Sequence, residues 1–160
     1  MSFFSKFFGK GKTPPGGPVD DDGPFMEYPS DDYDSSLAAM TSAFERLKSG
    51  GYGDRWITFA AQGRGHRQES DQCEDVNVRG NTLDLRGQTL DVPALLQFAE
   101  LQGGKGGQVQ VQVEIDPQGM VTLLGATPEQ MARFLDAVFQ KHFGIRPHED
   151  EDDYAVGAEW

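Results

Sequence analysis

Residues 108–144, QVQVQVEIDPQGMVTLLGATPEQMARFLDAVFQKHFG, decide the fold. Apolar and polar side chains alternate over the first eight residues, which predicts a strand with one buried face and one wet face. Residues 116–119 (DPQG) have proline and glycine where a type I turn favours them, so the strand returns over 120–124. Residues 127–130 (TPEQ) form a capping box with a first-turn proline, and the helix that follows ends at Gly144.

The sequence before this unit predicts two helices and three strands. Apolar residues three and four positions apart over 36–48 indicate an amphipathic helix. Residues 55–61 are rich in strand-forming side chains, and a Gly80-Asn81 turn joins two short alternating strands. A proline two residues after Asp91 indicates a helix from about 92 to 101, apolar on more than one side and therefore well buried.

These elements predict an α+β fold in the order α-β-β-β-α-β-β-α. We expect two layers, with a five-stranded, mainly antiparallel sheet and the helices on one face. The expected domain covers residues 36–146. An N-terminal segment, 1–35, has a phenylalanine-rich start followed by a proline-, glycine- and acid-rich linker, and 147–160 form an acidic tail. We expect both ends to be disordered, because charge runs offer little apolar surface for burial.

The charge lies mostly at these two ends. Of a net charge of −12, residues 1–35 contribute −4 and residues 149–160 contribute −6. Such runs are typical of solvated tails, but the acids also alternate with large apolar side chains that suit a partner with a basic rim around a hydrophobic groove. The candidate partner-binding residues are Phe3, Phe4, Phe7, Phe8, Phe25, Tyr28, Tyr33, Tyr154 and Trp160.

Residues 1–12 differ from the rest of the N-terminal segment. They place four phenylalanines beside three lysines and contain no acid. This pattern suits weak contact with an anionic membrane surface or a partner, while the alternative is that the phenylalanines pack onto the folded body. No stretch of the chain approaches the ~20 apolar residues of a membrane span.

Residue types that carry chemistry are scattered along the chain. His66, His142 and His148 lie far apart, and acids surround Cys73, which disfavours a reactive thiolate. The glycine-rich loops match neither a phosphate-binding nor a dinucleotide-binding motif. We therefore expect no enzyme, no cofactor and no metal, and the acidic balance disfavours nucleic-acid binding. A single cysteine is consistent with a reducing, cytoplasmic location.

The order of elements, together with the aromatic first strand Arg55-Trp56-Ile57-Thr58-Phe59, resembles the fold of type III secretion chaperones and related bacterial chaperone-like families. The resemblance covers about residues 36–143 and lies in the topology. It implies a bacterial, non-enzymatic protein-binding module, chaperone-like or adaptor-like, and a homodimer through the second helix or a sheet edge. The alternative is an acidic neutralising or immunity-type protein whose carboxylates block a basic target.

Overall fold

A computed structural model describes residues 34–49, 55–64, 71–102, 111–147 and 151–159 of the 160-residue chain. The described part contains three α-helices, one π-helical turn and six strands. In chain order these are α1 (Ser36–Ser49), β1 (Ile57–Arg64), β2 (Asp71–Arg79), β3 (Thr82–Asp84), α2 (Val92–Phe98), β4 (Gln112–Ile115), β5 (Met120–Leu124), α3 (Pro128–Ala137), the π-turn (Val138–His142) and β6 (Ala155–Glu159). The α+β class is confirmed.

The strands form one sheet in the order β4-β5-β3-β2-β1-β6, and every neighbouring pair is antiparallel. The sheet has six strands, so the prediction of five was wrong. The additional strand is β6, which lies in the tail 147–160 that we expected to be disordered. The run of acids at 149–153 led us to predict a tail, although a short alternating segment follows them. In that segment Val156 and Ala158 are each 1% exposed.

The helices and one face of the sheet enclose a single core. In α1 the predicted apolar stripe is buried through Met40, Phe44 and Leu47, and the Phe44 ring stacks on Phe59 of β1 with centroids 4.8 Å apart. The hydroxyl of Ser35 accepts a hydrogen bond from the amide of Ala38, so Ser35 caps this helix. We call the face of the sheet that packs against the helices the inner face, and the opposite face the outer face.

Helix α3 begins as the sequence predicts and ends differently. Thr127 and Gln130 form the reciprocal capping box, and the buried residues of α3 include Met131, Phe134 and Leu135. The α-helix is followed directly by the π-turn, in which the amide of Phe143 donates to the carbonyl of Val138 at 3.0 Å.

The chain after the π-turn passes directly over β1. Arg146 and Arg64 exchange two backbone hydrogen bonds of 2.7 and 3.1 Å. A Cβ atom on Gly63 would lie 2.3 Å from the carbonyl oxygen of Arg146 and 2.8 Å from Cγ2 of Ile145. Glycine is therefore required here for the close approach of two backbones.

Two apolar surfaces are more exposed than the sequence predicts. Ile115 is 52% exposed, since it ends the edge strand β4, although Val111 of the same alternating run is buried. Helix α2 buries Leu95 and Leu96, but Phe98, in its last turn, is 45% exposed. The expectation that α2 is well buried was therefore wrong for this residue.

Candidate functional site

The outer face of the sheet carries side chains that alternate with the core residues. In β1, Ile57, Phe59 and Ala61 lie on the inner face, so Thr58 and Ala60 lie on the outer face. The register continues this surface across the sheet: Thr58 is opposite Asn77, and Thr82 is opposite Thr122. Cross-strand bonds join both pairs, at 2.7 Å and 2.9 Å. This part of the surface is therefore polar and ordered.

A concave trough of about 660 Å³ crosses the outer face between β1 and β4. Trp56 and Arg79 form one side of the trough, and residues from β4, β5 and the turn between them form the other. The residues that line it are Trp56, Arg79, Thr82, Glu114, Ile115, Asp116, Met120 and Thr122. We call this feature the outer trough.

A tryptophan and an arginine form the most distinctive pair of the outer trough. The guanidinium carbon of Arg79 lies 5.5 Å from the centroid of the Trp56 ring, within the range of a cation–π contact. Ile57 pairs with Val78, which places Trp56 and Arg79 opposite each other at the ends of their strands. Trp56 keeps 44% of its surface exposed, so the ring is accessible.

Carboxylates and apolar groups share the opposite side. Asp116 Oδ1 accepts the backbone amides of Gln118, Gly119 and Met120 at 2.8–3.0 Å, which fixes the turn that forms this rim. Glu114 stands beside Ile115, which is half exposed. A floor formed by Thr82 and Thr122, with Trp56 and a guanidinium on one side and carboxylates on the other, suits a polypeptide with both apolar and charged groups.

An ion pair between a carboxylate and a guanidinium lies just beyond the trough. Asp84 accepts from both Nε and Nη2 of Arg86 at 2.8 Å. The hydrogen bonds from Arg86 lower the pKa of Asp84. The Arg86 side chain is 56% exposed to solvent, so this ion pair adds little stability.

Tyr154 does not lie on an accessible docking segment. It is 2% exposed, and its hydroxyl donates to Oδ1 of Asp136 at 2.5 Å. The preceding residue, Asp153, accepts from the backbone amide of Ser36 at 2.8 Å, and the Ser36 hydroxyl donates to the carbonyl of Tyr154. These bonds join the start of β6 to α1 and α3. Its inclusion among the partner-binding residues is therefore corrected: Tyr154 stabilises the core.

Burial determines the ionisation of this cluster. Desolvation raises the pKa of Asp136, although hydrogen bonds from Tyr154 and Gln140 oppose that rise. Burial together with the nearby carboxylate of Asp136 raises the pKa of Tyr154 well above its usual value, so the phenol stays protonated and remains a donor.

The other candidate partner-binding residues lie outside the described part of the chain. These are Phe3, Phe4, Phe7, Phe8, Phe25, Tyr28, Tyr33 and Trp160. Their role in binding a partner therefore stays a prediction.

Side chains that could carry other chemistry also occur in the described ranges. In those ranges, no three side chains among histidine, cysteine, aspartate and glutamate converge as a metal site would require. His142, at the end of the π-turn, pairs with Gln88 at 2.8 Å, and Cys73 is exposed. Within the described ranges, no helix is long and apolar enough to cross a membrane.

A second, smaller cavity of about 360 Å³ lies where the end of α1 meets the start of α3. Its wall includes Phe44, Leu47 and Met131, whose side chains belong to the core. It contains no exposed aromatic residue, so the outer trough is the stronger candidate.

The sequence identified Trp56 only as part of an aromatic strand and did not single out Arg79. Side chains alternate between the two faces of an extended segment, and Trp56 directly precedes the core residue Ile57. This alternation was the signal that Trp56 faces outward. The pairing with Arg79 required the register of β1 with β2, and residues 65–70 between these strands contain no short turn motif that fixes it.

Comparisons of the chain with protein-family models, with curated proteins and with solved structures found no match.

Proposed function

We propose that this protein is a non-enzymatic protein-binding module, chaperone-like or adaptor-like, that holds a partner polypeptide in the outer trough. The observation that carries the proposal is the accessible Trp56 ring under the Arg79 guanidinium, in a concavity on the sheet face opposite the helices. Tryptophan and arginine are the residues most enriched where binding energy concentrates in protein interfaces.

The surroundings of this pair support a polypeptide rather than a small ligand. The outer trough is open and runs across strands, so an extended segment can lie along it. Trp56 and Met120 offer apolar contact, while Glu114 and Asp116 attract basic groups at one rim. We therefore favour a partner segment with a large apolar residue flanked by lysine or arginine.

The test is quantitative affinity capture with three versions of the full chain. The unchanged protein should retain a defined partner, Trp56→Ala should lose it, and Phe98→Ala should retain it. Phe98 is the matched control, because it is an aromatic residue of nearly equal exposure on α2, away from the trough. Truncating a central tryptophan of an interface typically costs 2 kcal/mol or more, which is roughly a 30-fold loss of affinity.

The proposal fails if no protein is recovered above background, or if all three versions recover the same proteins in the same amounts. Loss of the partner with Phe98→Ala alone would move the binding surface to α2. Circular dichroism of each variant separates loss of binding from loss of folding.

A further inference from the structure

One small residue on the outer face is buried without belonging to the core. Ala60 has 0% of its surface exposed, yet it is absent from the cluster of core residues that contains its neighbours Phe59 and Ala61. Its position between those two inner-face residues places its side chain on the outer face. The helices α1, α2 and α3 pack on the opposite face and do not account for this burial.

The strand on one side of Ala60 shows the same feature. Gly157 of β6, directly opposite Ala60 in the register, is also buried, although β6 is the last strand of the sheet. On the other side, Ala60 is opposite Asp75, whose carboxyl retains exposed surface while partial burial and the nearby Glu74 raise its pKa. We call Ala60, Gly157 and Asp75 the small-residue patch.

We infer that residues 1–12 of the same chain cover the small-residue patch and pack their phenylalanine rings against Ala60 and Gly157. An alanine beside a glycine leaves a shallow depression in a sheet, and flat aromatic rings fill such a depression with large apolar contact. Four of the first eight residues are phenylalanine.

Charge distinguishes this segment from the rest of the N-terminal region. Asp75 and Glu159 occupy outer-face positions next to the patch, opposite Ala60 and Thr58 respectively. Residues 1–12 contain three lysines and no acid, whereas residues 19–34 contain seven acids and no base. The acidic segment would be repelled by these carboxylates, and the lysine-bearing segment would be attracted.

The connection allows this docking. The described chain begins at Asp34, two residues before Ser36, whose amide binds Asp153 near the start of β6. Gly157 lies two residues beyond the first residue of β6. The 21 intervening residues, 13–33, span up to ~70 Å when extended, which is ample for the return to the patch.

The experiment measures how accessible the patch is to a thiol reagent in the full chain. Ala60→Cys in a Cys73→Ser background provides a single reporter thiol, and N-ethylmaleimide is the probe. Since alkylation follows exposure of the thiol, we expect a rate about tenfold or more below that of Asn77→Cys, an exposed position on the same face. Replacing Phe3, Phe4, Phe7 and Phe8 together by serine should raise the rate to that of the exposed control.

The matched control is Phe25→Ser with Tyr28→Ser, which should leave the thiol protected. Rapid alkylation of the Ala60→Cys thiol while residues 1–12 are unchanged would overturn the inference. Protection of this thiol that is lost only in the Phe25→Ser, Tyr28→Ser control would also overturn it. Protection that falls on dilution would assign the cover to a second copy of the chain. Rapid reaction combined with phenylalanine-dependent binding to vesicles containing phosphatidylserine would assign the segment to lipid. Both of these results contradict the inference.

A second measurement avoids the introduced thiol. In a protein that is otherwise unchanged, the four serine substitutions should shift the amide resonances of Ala60 and Gly157 and leave those of α3 in place. Unshifted resonances at both patch residues would contradict the inference even if the thiol variant does not fold.

Discussion

Gly63 has no room for a side chain, because the backbone after the π-turn lies against it. Gly63→Ala would place a methyl group 2.3 Å from the carbonyl oxygen of Arg146, which forces the two segments apart and breaks their backbone bonds. We expect a loss of about 1–3 kcal/mol in the free energy of unfolding, measured by urea denaturation.

The control for this prediction is Gly87→Ala. Gly87 has φ of +81° and no atom within 4 Å of the added methyl group, so its cost is conformational alone, about 1 kcal/mol. Equal stability of the Gly63→Ala variant and the unchanged protein would show that the two backbones separate without cost.

Asp136 gives the protein a specific dependence on pH. Because desolvation raises its pKa in the folded state, this carboxyl stabilises the fold fully below about pH 4, and that contribution is lost as pH rises through the folded pKa. The phenol of Tyr154 stays protonated across this range, while Asp153 adds negative charge that favours protonation of Asp136.

Asp136→Asn should therefore become more stable relative to the unchanged protein as pH increases from 4 to 7. Both hydrogen bonds, from Tyr154 and Gln140, end on Oδ1, which an amide oxygen reproduces. The measurement is the difference in urea unfolding free energy at several pH values. A difference independent of pH would show that Asp136 does not titrate in this interval.

Individual residues show how far sequence reasoning reaches. Thr127 and Gln130 were predicted as a capping box and form one, because the motif is complete within four residues. Tyr154 was assigned to a docking segment, because its partners Asp136 and Ser36 are distant in sequence and nothing nearby indicates burial. Local hydrogen bonds could be predicted, whereas contacts across the fold could not.

Among the elements, β6 shows most clearly that a segment expected to be a disordered tail contains a structural strand. Val156 is 1% exposed, and its neighbour in the register is Ala61 on the inner face of β1. Val156→Asp would bury a charge against the core and should lower the free energy of unfolding by more than about 3 kcal/mol. Thermal unfolding followed by circular dichroism measures the effect.

The control is Asp152→Asn, an exposed position three residues before β6, which should leave the melting temperature unchanged. A Val156→Asp variant as stable as this control would mean that β6 contributes nothing to the fold in solution.

The elements that the sequence predicted share one property: their signals are local. The return strand over 120–124, the Gly80-Asn81 turn and the apolar stripe of α1 were all found where expected, and Gly80 has the positive φ of 58° that its turn needs. The order of strands in the sheet, and with it the outer trough, depends on pairings between segments as far apart as β1 and β6. Alternation does not encode those pairings.

At the scale of the whole molecule, the function of the acidic C-terminal residues has to be tested by neutralising their charges, because deletion also removes a strand. Deleting residues 149–160 would remove β6 and the buried Tyr154, so we expect loss of cooperative unfolding. Glu151→Gln with Asp152→Asn removes two exposed charges and should keep the melting temperature within about 2 °C, since surface changes are usually nearly neutral.

The same pair of substitutions distinguishes the proposed protein-binding module from the alternative, an acidic protein that neutralises a basic target. A protein that neutralises a basic target should bind more weakly after the substitutions and should lose binding in high salt. A module that holds its partner through Trp56 should keep most of its affinity in both conditions. Calorimetric titration at two ionic strengths gives the answer once the partner is in hand.

The pairing of β1 with β6 has a consequence for biosynthesis. Roughly 100 residues separate these strands, so at translation speeds of about 5–20 residues per second the nascent β1 waits ~5–20 seconds for its second neighbour. During that interval one edge of β1, the strand that contains Phe59, has unpaired backbone hydrogen-bonding groups. This edge can pair wrongly with a strand of another nascent chain. Production at lower temperature or with a co-expressed holdase should therefore increase the yield of folded material.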